Sequence, residues 1–327
     1  MGWDMRFATV SLALLIMACG PAIAADCAPL KLLNTVKMEP AGGNPDEVRL
    51  VPVIINDKTK MFMLDTGGYA TQITRTAAAD LKLELQNSPV ELYDANGRVS
   101  RKSVTLEKLQ VGRMVFSRVR LPISTFDGGI DGILSSNLLV AYDVDLDFPG
   151  NVMNYISPDH CAGAVLYWKA NAVGVVPITL VDNSQIKVKI TLDGQTFDGI
   201  IDTGATHSTM SDKVAKYFFK IPLGAPGDTP HEKINGDATL TAYRHVFSTL
   251  AFGGVTIEKP QIDILEDRVN RNADHTQQTG NRALTVSNDL VLPKLIIGMN
   301  MLKDLHIYMS FSEHRLYVTQ TAASSPH

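Results

Sequence analysis

The chain has 327 residues, of which 45% are hydrophobic and 20% charged, a composition typical of a soluble protein with material for about two domain cores. The formal net charge of −4 argues against a nucleic-acid partner, because phosphate contacts require a basic surface. The eight histidines and three cysteines do not cluster at metal-ligand spacing, and no phosphate-binding glycine loop is present. We therefore expect neither a metal nor a cofactor.

The first 24 residues have the pattern of a secretory signal peptide. An apolar stretch from Ala8 to Cys19 is too short to span a bilayer comfortably, and Ala22-Ile23-Ala24 forms a small-x-small cleavage signal. This pattern predicts export to the periplasm or secretion. The alternative is a lipoprotein signal, in which Cys19 would carry the lipid anchor.

Removal of the signal would leave two cysteines, Cys27 and Cys161. In an exported chain they could form one disulfide that ties the mature N-terminus to the middle of the chain. Two free thiols are the alternative, and spacing alone does not decide between them.

One strand-and-turn pattern occurs twice along the chain. "MFMLDTGGYATQIT" (61–74) and "FDGIIDTGATHSTMS" (197–211) are apolar runs that end in Asp-Thr-Gly, at Asp65 and at Asp202. Each run is preceded by an apolar strand that contains Val-Pro, with a polar turn between the two, which is a hairpin signal. An Asn-Gly hairpin turn follows each aspartate at a similar distance, first at Asn96-Gly97 and then at Asn235-Gly236.

The duplication continues to the end of each half. "GILSSNLLVAYDVDLDF" in the first half aligns with "LIIGMNMLKDLHIYMSF" in the second, so that Asn137 corresponds to Asn300. We predict an N-terminal lobe over 25–160 and a C-terminal lobe over 161–327, with the break between them in 157–174. The extra length of the second copy is assigned to a surface loop over 266–290.

Most of the predicted elements are short strands, so the sequence indicates an all-β protein with few helices. Helices are expected over 74–84 and 211–220, with Ser211 capping the second, and in short segments at Asn137 and Asn300. His207 is interpreted as a surface residue and Trp168 as part of the core between the lobes. Tyr69 either lines a substrate pocket or covers its turn.

A symmetric pair of lobes can bring two equivalent carboxylates face to face. Two carboxylates a few ångströms apart do not both ionise readily, so the pair holds one shared proton. The ionised carboxylate can then take a proton from a bound water while its protonated partner polarises a substrate carbonyl. In this interpretation Asp65 and Asp202 are catalytic, the hydroxyls of Thr66 and Thr203 bond across the interface, and Gly67 and Gly204 let the backbone turn closely.

These motifs resemble those of the aspartic peptidases, and "IIDTGATHSTMS" and "LIIGMNML" resemble the retroviral-type, retropepsin-like branch that also occurs in bacteria. The likeness extends over about 50–318. It implies two fused, closed β-barrel-like lobes related by a pseudo-two-fold axis, with Asp65 and Asp202 as the catalytic pair. It also implies a hairpin flap over the substrate, with Tyr93, Asn96 and Gly97 in the first half and Asn235 and Gly236 in the second.

The sequence departs from the family pattern in two ways. Ser135 takes the place of the glycine that usually ends the first apolar triplet, which adds a side chain beside the first turn. Gly68 and Ala205 follow the turns, where pepsin-like members often carry a hydroxyl that favours the ionised carboxylate. Without that hydroxyl the pair should titrate at higher pH, so we expect activity at weakly acidic to near-neutral pH.

The resulting prediction is an exported aspartic endopeptidase that acts on polypeptides. The alternative is a catalytically inactive relative that keeps the cleft and binds peptides. A third possibility is that the fold serves oligomer assembly, with the lobes of one chain pairing with those of another. Because both lobes lie in one chain, an intramolecular pair is the simpler arrangement, and we expect a monomer.

Overall fold

The computed structural model describes residues 27–93, 99–126, 128–181, 184–231, 242–266 and 295–320. The predicted signal peptide, both Asn-Gly flap turns and nearly all of the predicted 266–290 loop lie outside these residues. Strands account for 53% of the described residues and helices for 10%, which confirms the predicted all-β class.

The strands of the first half precede the linker at 157–173. They are β1 (Leu32–Lys37), β2 (Glu39–Pro40), β3 (Arg49–Ile55), β4 (Lys58–Asp65), β5 (Gln72–Thr74), β6 (Gln86–Tyr93), β7 (Val99–Val111), β8 (Met114–Ser124), β9 (Gly132–Ser135), β10 (Asp143–Asp147) and β11 (Val152–Ile156).

The strands of the second half follow the linker. They are β12 (Gly174–Val181), β13 (Gln185–Leu192), β14 (Gln195–Ile201), β15 (Thr209–Ser211), β16 (Thr229–His231), β17 (Ala242–Val246), β18 (Thr249–Phe252), β19 (Val255–Glu258), β20 (Gln261–Leu265), β21 (Leu295–Ile297), β22 (Leu305–Ser310) and β23 (Arg315–Gln320).

The helices are short and lie between strands. They are α1 (Arg75–Asp80), α2 (Asp212–Val214), α3 (Met299–Leu302), 3-10 turns at Ala41–Gly43 and Ser136–Leu138, and a π-helical turn at Ala215–Phe219. None of the helices in the described residues is long and apolar enough to cross a membrane.

The first helix is shorter than its sequence predicts. The predicted helix over 74–84 begins as expected, because the Thr74 hydroxyl caps it by accepting a hydrogen bond from the Ala77 N–H at 3.2 Å. It ends at Asp80, since Lys82 adopts a left-handed backbone (φ 55°) that reverses the chain. In the second half Ser211 caps α2 as predicted, and the helical segment ends before Lys220, which is also left-handed (φ 62°).

The first half closes into a six-stranded barrel. Strands β3, β4, β9, β5, β8 and β7 pair in that order, and β3 pairs back to β7 to complete the ring. Alternate residues of β3, Val51, Val53 and Ile55, are fully buried inside it, as expected for a strand with one face on a core.

The second half repeats this order of pairing. Strands β13, β14, β21, β15, β20 and β17 pair in sequence, and β18, which follows β17, pairs with β13. Strand β14 thus takes the place that β4 has in the first half, and each of them leads into an Asp-Thr-Gly turn. This correspondence confirms the predicted pair of similar lobes.

A further sheet belongs to both halves. Its order is β1-β11-β10-β22-β23-β12, and the halves join where β10 pairs antiparallel with β22, with Val144 opposite Met309. The linker at 157–173 connects β11 to β12 without regular structure, in the region where the sequence predicted the break. The predicted lobe boundary at 160–161 lies within this linker.

Polar side chains hold the linker against the shared sheet. The buried carboxylate of Asp145 on β10 accepts hydrogen bonds from His306 on β22, from Tyr167 in the linker and from Asn154 on β11. Trp168 stacks on the His306 ring with 4.0 Å between ring centroids. Trp168 therefore packs on the sheet that joins the lobes, although it is half-buried and not part of a core as the sequence suggested.

A second buried carboxylate on the same strand makes a similar set of contacts. Asp143 is 2.6 Å from Nε2 of His160, which belongs to the linker, and accepts a hydrogen bond from the Tyr308 hydroxyl at 3.2 Å. The other ring nitrogen of His160 lies 3.1 Å from the Cys161 carbonyl oxygen. Cys161 forms a disulfide with Cys27, so the linker is also joined covalently to the segment that precedes β1.

Candidate active site

The two Asp-Thr-Gly turns meet between the lobes. Asp65 ends β4, which runs parallel to β9 with Asp65 opposite Ser135. Asp202 follows β14 and its backbone N–H donates to the Ile297 carbonyl of β21 at 3.0 Å. Because the apolar residues just before each aspartate are buried, both carboxyl groups emerge at the carboxyl end of a strand anchored in a core.

Four reciprocal hydrogen bonds fasten the turns to each other. The Thr66 hydroxyl donates to the Ile201 carbonyl at 2.7 Å, and the Thr203 hydroxyl donates to the Leu64 carbonyl at 2.8 Å. Each hydroxyl also accepts a hydrogen bond from the backbone N–H of the opposite threonine, at 3.1 and 3.2 Å. Both threonines are fully buried, so their hydroxyl groups depend on the other half for hydrogen-bond partners.

The glycines of the turns pack against the opposite carboxyl groups. A Cβ added to Gly67 would lie 2.3 Å from Cγ of Asp202, and one added to Gly204 would lie 2.6 Å from Cγ of Asp65. Only glycine fits at these positions. Each glycine N–H also donates to the aspartate of its own turn at 2.9 Å, and the two carboxyl groups lie within hydrogen-bonding reach of each other.

The environment of the pair favours protonation. Burial, then the neighbouring charge of Asp202 and the hydrogen bond between the carboxyl groups, raise the pKa of Asp65 well above its usual range. Burial also raises the pKa of Asp202, while the Gly204 N–H partly opposes that rise. The pair therefore keeps a proton at pH values where an isolated aspartate would be ionised.

Two of the positions at which the sequence departs from the family pattern, Ser135 and Gly68, lie next to each other. The Ser135 hydroxyl donates to the Ala70 carbonyl at 3.0 Å and occupies the space beside Gly68, where an added Cβ would lie 2.5 Å from it. The second half has the opposite combination, Ala205 with Gly298, and a Cβ on Gly298 would lie 2.6 Å from backbone atoms of that turn. Each half thus has a side chain at only one of the two positions, at Ser135 in the first half and at Ala205 in the second.

Sequence reasoning missed the polar pairs that hold each turn from behind. The Asn137 side-chain oxygen accepts hydrogen bonds from the N–H and the hydroxyl of Thr71, both at 2.8 Å. Asn300 makes the same two contacts with Ser208, also at 2.8 Å. The alignment of Asn137 with Asn300 in the repeat was the available signal, but it did not reveal the partners.

Most of the predicted flap residues lie outside the described chain. Tyr93 ends β6, and the remaining flap candidates, Asn96, Gly97, Asn235 and Gly236, lie outside the described residues. Tyr69 is 41% exposed beside its turn. Within the part of the chain that the structure describes, no group of three or more His, Cys, Asp or Glu residues could hold a metal ion.

The sequence matches a known protein family over both lobes. Residues 51–138 and 188–301, which together make up more than half of the chain, match the family described as Aspartyl protease. The chain therefore belongs to the aspartyl protease family, and its match is of the retropepsin-like type. Members of this family are peptidases, which act on polypeptides. No curated protein has a significantly similar sequence.

Solved structures with a similar fold include the aspartic proteinase from Irpex lacteus. It is 13% identical, the alignment covers 89% of this chain and 98% of that one, and the TM-score is 0.51, so the likeness extends over both lobes. Basic 7S globulin from soybean is 9% identical, with 90% and 95% coverage and a TM-score of 0.45. A retropepsin-like aspartic protease from Rickettsia conorii is 17% identical, with 39% and 93% coverage and a TM-score of 0.31.

Proposed function

We propose that the protein is an exported aspartic endopeptidase in which Asp65 and Asp202 activate one water molecule. The observation that carries the proposal is the reciprocal packing of Gly67 on Asp202 and of Gly204 on Asp65, which brings both carboxyl groups to one point. The raised pKa of each group supports a pair that shares a single proton.

The chemistry then needs no group beyond the two carboxyls. The ionised carboxylate accepts a proton as the water oxygen bonds to the carbonyl carbon of the peptide, and the protonated carboxyl donates its proton to the carbonyl oxygen. Transfer of a proton to the amide nitrogen and cleavage of the C–N bond complete hydrolysis. The backbone N–H groups of Gly67 and Gly204 keep the two carboxyl groups oriented throughout.

Cleavage of a denatured protein by the purified chain, measured from pH 3 to pH 8, tests the proposal. Asp65→Asn and Asp202→Asn should each lower the rate by at least about 1,000-fold, because neither carboxyl can act alone. Asp80→Asn is the matched control, since Asp80 is an exposed aspartate on α1 and should leave the rate unchanged.

Two results would overturn this assignment. Equal cleavage by the wild type and both active-site variants would place the activity elsewhere. No cleavage at any pH, together with saturable binding of the substrate, would favour the inactive peptide-binding relative.

Export is proposed on the pattern of residues 1–24, and the Cys27–Cys161 disulfide supports it, because disulfides persist in oxidising compartments. N-terminal sequencing of the protein recovered from an exported fraction should give a chain that begins after Ala24. Recovery of the chain in the membrane with a lipid on Cys19 would support the alternative anchor, and recovery of the uncut chain in the cytoplasm would exclude export. A monomeric mass in solution is also expected.

A further inference from the structure

Gln185 connects the second half to the catalytic turn of the first half. It begins β13, and the next residue, Ile186, pairs with Ile201, which directly precedes Asp202. From this position its side-chain amide crosses the boundary and Nε2 donates to the carbonyl oxygen of Gly67 at 2.5 Å. The acceptor is a backbone carbonyl, so the NH2 group of the amide must be the part that faces it.

The Gly67 carbonyl belongs to the same peptide unit as the Gly68 N–H. None of the described peptide bonds is cis, so the carbonyl and the N–H of this unit point in opposite directions. Gly68 lies directly against the Asp65 carboxyl, since a Cβ added to it would lie 2.6 Å from Oδ2 of Asp65. Burial raises the pKa of Asp65, and the backbone of Gly68 partly opposes that rise. The amide of Gln185 therefore holds one end of a rigid peptide plane whose other end lies beside Asp65.

The Gly67–Gly68 peptide is less restrained by its own residues than the corresponding peptide of the second half. It joins two consecutive glycines, and glycine has more accessible backbone conformations than any other residue. The corresponding unit of the second half joins Gly204 to Ala205, whose Cβ restricts the backbone. Residue 68 has no room for a side chain, since an added Cβ would lie 2.5 Å from the Ser135 hydroxyl and 2.6 Å from Oδ2 of Asp65. The first turn thus lacks the restraint that Ala205 gives the second.

We propose that Gln185 is a positioning residue for Asp65, which fixes the Gly67–Gly68 peptide so that the Gly68 N–H points at the Asp65 carboxyl. The hydrogen bond to the carbonyl also polarises the peptide and strengthens the N–H as a donor. The inference rests on the proposed function only where enzyme activity is the readout.

The test replaces Gln185 by methionine, which has a similar length and no N–H group. Without the Gln185 amide as donor, the Gly67–Gly68 peptide can rotate, and the ionised Asp65 carboxylate loses the stabilising effect of the Gly68 N–H. The pair of Asp65 and Asp202 then takes up its shared proton at higher pH. We expect kcat/KM to fall by about tenfold and the acidic limb of its pH profile to move up by about 0.5 to 1 pH unit. A mere loss of stability would lower the amount of folded enzyme without moving that limb.

The matched control is Gln195→Met, at the exposed start of β14 on the same hairpin. It should leave both the rate and the pH profile unchanged. Gln185→Asn is a second variant, which keeps the amide but is too short to reach Gly67. It should lower the rate and shift the pH profile as expected for Gln185→Met, and it replaces that variant in the test if Gln185→Met fails to fold. An unchanged pH profile in a folded Gln185 variant overturns the proposal.

A separate measurement keeps the inference distinct from the proposed activity. In protein labelled with ¹³C at the aspartate carboxyl groups, the NMR titration of Asp65 reports its protonation whether or not the enzyme cuts. If the wild type is inactive, the peptidase assignment fails, but a shift of this titration to higher pH in Gln185→Met still supports the positioning role. An identical titration in the wild type and Gln185→Met overturns it.

Discussion

At the scale of single residues, the two turns differ by an exchange of side-chain volume. The first half combines Gly68 with Ser135, whereas the second combines Ala205 with Gly298. Ser135 donates to the Ala70 carbonyl and fills the space beside Gly68, which lies 67 positions earlier in the chain. The sequence indicated an added side chain beside the first turn, and the structure shows that the missing side chain at residue 68 makes room for it.

This exchange predicts strong coupling between the two positions of the first turn. Gly68→Ala alone should lower the free energy of unfolding by about 1 to 3 kcal/mol, because its Cβ would overlap both the Ser135 hydroxyl and Oδ2 of Asp65, and Ser135→Gly relieves only the first overlap. The double variant with Ser135→Gly reproduces the combination in the second half and should recover at least about 0.5 kcal/mol of that loss. Urea unfolding of the wild type, both single variants and the double variant gives the coupling energy, and additive effects would contradict the packing account.

The sequence predicted those features of the site that depend on a short local motif. An apolar strand that ends in Asp-Thr-Gly, present twice, was enough to place Asp65 and Asp202 as counterparts. The cross-boundary contact of Gln185 with Gly67 could not be predicted this way. It depends on how β13 lies beside the turn of the other half, and no local pattern of sequence encodes that distance.

At the scale of elements, the linker at 157–173 owes its position to polar and covalent contacts. It lies between β11 and β12, and the disulfide between Cys27 and Cys161 ties its start to the segment that precedes β1. The sequence predicted a break here but could not show that the segment lies on the shared sheet. That placement arises from His160 and Tyr167, whose partners are on β10.

Removal of the disulfide should therefore lower stability more than activity. The bond links residues 134 positions apart, and closing so long a loop restricts the unfolded chain, which corresponds to about 2 to 5 kcal/mol of stability. The variant Cys27→Ser with Cys161→Ser should unfold at lower urea concentration and still cleave substrate at low temperature. Equal midpoints for the oxidised wild type and the double variant would show that the bond contributes nothing to the fold.

At the scale of the whole molecule, two ionisable clusters make stability depend on pH. In the linker, both ring nitrogens of His160 lie near acceptor oxygens, those of Asp143 and of the Cys161 carbonyl, an arrangement that favours the protonated ring. Burial opposes this charge, but the hydrogen bonds to Asp143 and Cys161 outweigh it and raise the pKa of His160 above 6.5. Glu313 and Tyr308 are the other titratable groups that face the ring.

The sign of the effect follows from the direction of that shift. A group whose pKa is higher in the folded state binds its proton more tightly there, so its contribution is complete below pH 6.5 and is lost as pH rises through the folded pKa. The raised pKa values of Asp65 and Asp202 act in the same direction. We therefore expect the protein to be more stable in weak acid than in weak base.

The variant His160→Gln isolates the contribution of the linker. It should lower the free energy of unfolding by about 3 kcal/mol at pH 5, since Asp143 loses its charged partner, and by less as pH rises toward 9. Thermal unfolding of both proteins across this range measures the difference. A difference that is constant with pH would show that the imidazole acts only by packing.

The pairing of β10 with β22 has a consequence for how the chain is made. Residues 143–147 emerge from the ribosome long before residues 305–310, and until then one side of β10 has no partner. A bare strand edge is a site for mispairing with other chains, so the nascent first half is exposed to aggregation while the second half is still being translated. The exposed edge of β10 is therefore covered only once β22 of the second half has folded onto it.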